Sequence, residues 1–446
     1  MTIGVLGAGA LGLSCALRLA QAGESVVVLE KETVPGGLAA GFRVGDAYLE
    51  RFYHHLFQTD TTAIALANEL GLGDALYWGQ PNTSVLHDGR FYPLNSASAV
   101  LRFGPLPLLD RLRLGAAVAY LKYTRDYRRL PDETAAAWLR RRMGERAYRV
   151  VWEPQLEGKF GAHKEEIALP WFWARIHCRT PTLGYLRGGF HRLYTRMAEE
   201  IERLGGRVAL GREVQAIERE GDGRLRVDTS EGAEHFDRLA VTLPTRLFLR
   251  LARGLPDTYR ARWQAGPLHL GAHCVVLALD RPLMLPVYWL SVTDPGFPFL
   301  AAVEHTNFLP ASDYGGRHLV YLGNYLPMDH PLFGWDDARV LAEFLPYLRK
   351  LNPAFEPGWV QEHWVWQAPY AQPVVTRGYT RQLPPHETPL AGVYLANMAH
   401  VYPQDRGQNY SFRLGERLAA RLRQELPPRP TRSSLPTRPP ASRNRA

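Results

Sequence analysis

Near the amino terminus, Gly7-x-Gly9-x-x-Gly12 follows a short apolar run, Ile3-Gly4-Val5-Leu6, and Glu30 closes a second run at Ser25–Leu29. This spacing suits a dinucleotide. Gly7 permits a tight strand-to-helix turn, Gly9 lets the backbone approach a pyrophosphate, and Gly12 lets a helix lie close on a strand. The pyrophosphate then rests on the positive end of the helix, beside Ala10 and Leu11. Glu30, with Lys31 next to it, can accept hydrogen bonds from ribose hydroxyls. A carboxylate there opposes a 2′-phosphate, so FAD or NAD is favoured over NADP. A second glycine pair, Gly36-Gly37, follows, with Leu38 after it. Then comes Tyr53-His54-His55, where adjacent imidazoles could act as general bases near neutrality or simply hydrogen-bond their own loop. No carboxylate or third histidine stands at ligand spacing, so no metal site is expected there.

These residues need elements to hold them. Thr2–Leu6, a helix carrying Leu13, Ala16, Leu17 and Ala20 on one face, and Ser25–Leu29 make one βαβ unit. After Arg187-Gly188-Gly189, an amphipathic helix presents Phe190, Leu193, Met197, Ile201 and Leu204. Strands are expected at 207–210, 213–219, 225–227 and, as one apolar run, 236–242. A last strand at 392–397 leads through Asp405-Arg406-Gly407-Gln408-Asn409 into a helix through Phe412, Gly415, Leu418 and Leu422. Between these blocks, 80–185 reads as mainly helical. Leu112, Ala116, Ala119, Tyr123 and Tyr127 share a face there, and Asp132 caps a helix from 133 to 151 that ends before Pro154. The stretch 245–385 is richer in β-branched and aromatic residues.

Composition narrows the classes. The 446 residues are 46% hydrophobic and 22% charged, as in ordinary globular chains. The longest membrane-like uncharged run, 282–293, is too short to span a bilayer. The net charge of +9 comes from arginines scattered along the chain, and no nucleic-acid reading motif accompanies it. Only five residues are lysine: Lys31, Lys122, Lys159, Lys164 and Lys350. Three cysteines far apart in sequence (Cys15, Cys178, Cys274) fit a reducing cytoplasm, and no secretory signal is visible at the start. The basic stretch near Arg111–Arg129 could lie against the inner face of an anionic membrane. The tail 427–446, rich in Pro, Arg and Ser, is expected to be disordered.

The segment Val5 to Phe42 resembles the start of the FAD-dependent amine-oxidase superfamily, which includes protoporphyrinogen oxidases, phytoene desaturases and UDP-galactopyranose mutases. One departure is Leu38, where many members have arginine. The resemblance implies an α/β fold: a Rossmann-like FAD-binding domain (1–79, 186–245 and 386–426) with an inserted mixed α+β substrate domain (80–185 and 246–385). It also implies adenine contact at Val214, which plain core packing would explain equally. Flavin support is implied at Gly407, Gln408 and Asn409. Tyr53-His54-His55 is similar to a segment that approaches the flavin in the mutases. His400 and Tyr402 could face the flavin on position alone, and Trp171–Trp173 and Trp364–Trp366 could line a pocket or form core. The implied activity is hydride abstraction by FAD from a carbon beside nitrogen or in an allylic position of an apolar or polycyclic small molecule. No second dinucleotide motif is present, so electrons are expected to leave to oxygen, a quinone or a redox protein. A redox-neutral sugar-nucleotide mutase and a non-enzymatic flavoprotein scaffold stay open as alternatives.

Overall fold

The computed structural model describes residues 1–424; the basic tail at 427–446 lies outside them. A parallel five-stranded sheet runs in the order 207–209, 25–29, 2–6, 238–241, 393–395. Its strands come from three separated stretches of sequence, and they are apolar because both faces of the sheet are covered. Ile3, Val5, Val28, Leu239 and Leu395 are all fully buried. The first helix, Ala10–Gln21, is buried almost all round. The sheet lies on one side and the final helix, Gln408–Gln424, on the other. That helix contact requires glycine at 415, where a Cβ would stand 2.4 Å from the Leu11 carbonyl oxygen. Ser14 Oγ donates to the Phe412 carbonyl at 2.8 Å, locking the pair.

The run expected as one strand at 236–242 is divided. Gly232–Phe236 closes a three-stranded meander with Val214–Arg219 and Leu225–Thr229, while Arg238–Val241 enters the parallel sheet. Asp237 marks the break, its carboxylate accepting the Thr2 amide at 2.6 Å.

A seven-stranded sheet forms the second layer system, in the order 360–373, 269–279, 318–326, 301–304, 287–292, 82–87, 90–93. Its last two strands fall in the stretch expected to be helical. Ser84, Val85 and Leu86 there are all buried and pair with Leu290, Ser291 and Val292 rather than continuing a helix.

The helical insert also differs in detail. The helix Leu108–Tyr123 buries Leu114, Ala117 and Leu121. The shared face of Leu112, Ala116, Ala119 and Tyr123 points outward, with Leu112 52% and Tyr123 81% exposed, and Tyr127 lies beyond the helix end. Thr134, not Asp132, caps the next helix, Ala135–Met143, by accepting the Ala137 amide. Asp132 is held by Arg377 at 3.0 Å instead. Gly144, at φ +95°, ends that helix early. Pro154 sits in the first turn of a further helix, Glu153–Phe160, where its missing amide costs nothing.

Candidate functional site

The glycines at the start of the chain play different parts. Gly7 has φ +105°, and a Cβ on Gly12 would lie 1.9 Å from the Gly7 carbonyl oxygen. Both are demanded by the turn itself. Gly9 is not: its φ of −76° suits any residue, and the nearest atom to a Cβ there is Gly37 Cα at 3.9 Å. Gly36 runs alongside, forming a parallel bridge with Gly9 and donating its amide to the Ala8 carbonyl at 2.9 Å. Gly36 and Gly37 have φ of +120° and +57°. The result is an open cradle at the positive end of the first helix, whose first-turn amides have no acceptor within the helix. Ala10 and Leu11 form its floor, and a pyrophosphate fits the space that a side chain at Gly9 would fill.

Glu30 accepts the amides of Ala8 (2.7 Å) and Glu32 (3.0 Å), which orients the carboxylate and leaves lone pairs for a ribose diol. Lys31 points into solvent, 3.8 Å from Glu32. Arg212 donates its amide to the Glu30 carbonyl at 2.7 Å, which brings Val214 to the same end of the sheet, half-buried on the core beneath. Leu38 packs on Ala272, Ala368 and Ala371 and lines a small cavity with Tyr53, His54 and Arg406.

A larger cavity of about 220 Å³ adjoins it. Tyr53, His54 and His55 form one wall, and Gly407, Gln408 and Asn409 another. The side chains of Gln408 and Asn409 are already engaged. Gln408 accepts the Tyr194 hydroxyl at 2.6 Å, and Asn409 accepts the Ala63 amide at 3.1 Å. Their side chains are therefore spent within the protein, and main chain at the start of the final helix is what they leave open to the cavity.

Desolvation lowers His54 to about 4, and His55 to about 3, helped by Arg179. Both are neutral imidazoles at pH 7, not groups poised at neutrality as the sequence suggested. His54 Nδ1 donates to the Phe52 carbonyl at 2.6 Å, which leaves Nε2 as an acceptor. His55 Nδ1 has no partner among the described residues, and its ring meets Phe57 and Trp289 edge-on. Burial pushes the Tyr53 hydroxyl well above its usual value, so it stays protonated.

Sequence reasoning missed the opposite wall. Lys159 and Arg175 reach it from the helices Glu153–Phe160 and Leu169–His177, with Arg179 just beyond. Asp405 receives Lys159 Nζ at 3.0 Å, Arg175 at 3.1 Å and the Trp171 indole at 3.2 Å. Burial lowers Lys159 to about 7 despite the attraction of Asp405. Burial alone would raise Asp405, but Lys159, Arg175 and Arg406 hold it well below the usual carboxylate range. One signal was available: with arginine filling nearly every basic position, Lys159 is one of only five lysines in the chain. His400 and Tyr402 do not reach the cavity. His400 hydrogen-bonds Asn397 and the Pro384 carbonyl, and Tyr402 packs on Tyr379 and Tyr127. Trp171, Phe172 and Trp173 are core, and Trp364 and Trp366 pack on Phe42.

The sequence profile of flavin containing amine oxidoreductases matches residues 12–404. The chain belongs to that family. As a flavin-containing amine oxidoreductase it takes FAD as its cofactor, and the Gly9 cradle and the Glu30 carboxylate fit it. It is 27% identical over 191 residues to a chloroplastic protoporphyrinogen oxidase of Oryza sativa subsp. japonica, covering 42% of this chain and 35% of that protein. It is also 27% identical over 248 residues to a 15-cis-phytoene desaturase of Narcissus pseudonarcissus, covering 50% and 43%. The matched region thus spans less than half the length of either relative. The fold resembles that of a putative protoporphyrinogen oxidase from Exiguobacterium sp. 255-15, with a TM-score of 0.76, 19% identity, and 95% and 99% of the two chains covered.

Proposed function

We propose that this flavin-containing amine oxidoreductase oxidises a small apolar or polycyclic molecule at a carbon beside nitrogen or in an allylic position. The cavity supports this reading most directly: one wall is Gly407–Asn409, the turn we read as flavin-facing, and another is Tyr53–Phe57 with Trp289. When bound, FAD supplies the hydride acceptor. The chain's own residues bind and orient the substrate and exclude water. His54 and His55, held neutral, offer acceptors but are weak bases, which suits a C–H bond that the substrate itself activates. Electrons then leave to oxygen, a quinone or a redox protein. Anaerobic mixing of the FAD-loaded protein with porphyrinogen, polyene and amine substrates is expected to bleach the flavin absorbance with one class. Bleaching by none, with turnover of UDP-sugars only after flavin reduction, would overturn the oxidase reading in favour of a mutase.

No helix among the described residues is long and apolar enough to cross a membrane. We further propose peripheral contact with anionic lipid through the outward face of the helix Leu108–Tyr123. Leu108, Leu109 and Leu112 are 62%, 67% and 52% exposed there, flanked by exposed Arg102 and Arg113. An apolar stripe edged by arginine matches a headgroup boundary. Lys122, at the far end of this helix, donates to the carbonyls of His177 and Arg179, so the same element leads to the cavity rim. The protein is expected to float with phosphatidylserine vesicles at low salt, and the triple variant Leu108→Asp, Leu109→Asp, Leu112→Asp to stay behind. Failure of the wild type to float would sink the idea.

A further inference from the structure

We infer that the substrate of this cavity carries an anionic group, a carboxylate or a phosphate, anchored by Arg179 together with Arg175 and Lys159. The inference rests on reading the cavity as the substrate site. Its lining holds four cations, Lys159, Arg175, Arg179 and Arg406, against two carboxylates, Asp60 and Asp405. Both carboxylates are already engaged. Asp60 accepts the Phe57 amide at 2.9 Å, and Asp405 receives Lys159, Arg175, Trp171 and the amide of Arg406. Arg406 is tied to Gln372 at 2.8 Å and to the Tyr325 hydroxyl, and it also borders the small cavity beside Leu38, which places it on the cofactor side.

Arg179 differs. Among the described residues its guanidinium has no hydrogen bond or ion pair, only the ring of Phe57 at 6.0 Å. Arg179 is exposed at the cavity rim, so its five donors face water there, and such a guanidinium is suited to exchange that water for a planar two-oxygen acceptor. An ammonium in the same place would face Arg175, Arg179 and Lys159 with no free carboxylate to receive it. Lys159 is itself held at about 7 by burial, with Arg175 and Arg406 opposing its charge, so an entering anion would also secure its proton. Trp289, Leu300 and Val292 line the remaining wall, so the ligand pairs an apolar body with an acidic end. An unmodified polyene lacks the acid, and a simple amine has the wrong sign.

Calorimetric titration of the FAD-loaded protein with octanoate, octyl phosphate, octylamine and octanol tests this. Octanoate or octyl phosphate is expected to bind at least about tenfold tighter than octylamine, and the tighter of the two identifies the acid. Arg179→Gln should weaken the anion about tenfold and leave octanol unchanged. Three results would overturn the inference: octylamine binding as tightly as the anions, Arg179→Gln without effect on them, or no anion heat up to about 10 mM. Release of FAD by the anions, seen by absorbance after filtration, would also overturn it by assigning the cations to the cofactor. A protein that takes up no FAD would instead refute the flavin reading, and the same four titrations on it still judge the anion site.

Discussion

Gly9→Val is expected to fold and to purify without flavin. The backbone at Gly9 is in an extended conformation open to any residue, and a Cβ there meets nothing closer than Gly37 Cα at 3.9 Å. Gly9 is also the N-cap of the first helix without a side-chain cap, so the replacement costs that helix no more than about 1 kcal/mol. The protein alone gives no reason for glycine at this position. The reason lies in what fills the cradle: a pyrophosphate resting on the first-turn amides would overlap an isopropyl group. FAD content per protein should fall by about a hundredfold in affinity terms, since a steric overlap removes both the amide contacts and the neighbouring ribose contacts to Glu30. Gly12→Ala is the contrasting variant. Its Cβ would sit 1.9 Å from the Gly7 carbonyl oxygen, a backbone clash that no side-chain rotation relieves, so it should lose the fold together with the flavin. Absorbance of the purified proteins and far-UV circular dichroism separate the two. Full flavin occupancy in Gly9→Val would place the cofactor elsewhere.

The contrast between those two glycines also marks what sequence can carry. Gly7 to Glu30 is legible because the unit is local: strand, turn, helix and acid lie within one βαβ span, and each spacing has a direct geometric meaning. The cationic wall is not local. Lys159 and Asp405 meet across 246 positions, and Arg175 reaches them only because the apolar run before it docks Trp171 into the helical core. The buried face of the helix Leu108–Tyr123 was not legible for a related reason. Periodicity finds an apolar stripe but does not say which stripe faces the core. Here the smaller set, Leu114, Ala117 and Leu121, is the one that fits against its neighbours. Asp132 and Thr134 are both good capping residues two positions apart, and the distant Arg377 decides between them by holding Asp132 away. His54 and His55 were legible as cavity residues, but their charge state was not. It is set by desolvation that depends on the whole wall around them.

Asp405→Asn should destabilise the protein markedly, and by an amount that depends on pH. The substitution keeps the shape and leaves an oxygen for the Trp171 indole, but it removes the counter-charge of Lys159 and Arg175. Breaking a fully buried ion pair by deleting one partner costs about 3–5 kcal/mol; here Lys159, Arg175 and Asp405 keep 12%, 24% and 22% of their side chains exposed, so the cost is smaller. Lys159 provides a way out of part of that cost. Its folded-state value, about 7, lies below the usual lysine value, so between the two the unfolded chain binds the extra proton and stability rises with pH. Without Asp405 the attraction that supports the charged form is gone, and Lys159 should lose its proton at lower pH still. Below pH 7 the wild type keeps the full pairing energy and the variant does not. Above pH 7 Lys159 is neutral in both folded proteins and its share of the difference vanishes, which leaves only the Arg175 share. Urea unfolding at pH 6 and pH 9 should therefore show a large gap between the two proteins at the lower pH and a clearly smaller one at the higher. A gap that is the same at both would mean that Lys159 keeps its charge over the whole range and that its pairing with Asp405 does not titrate.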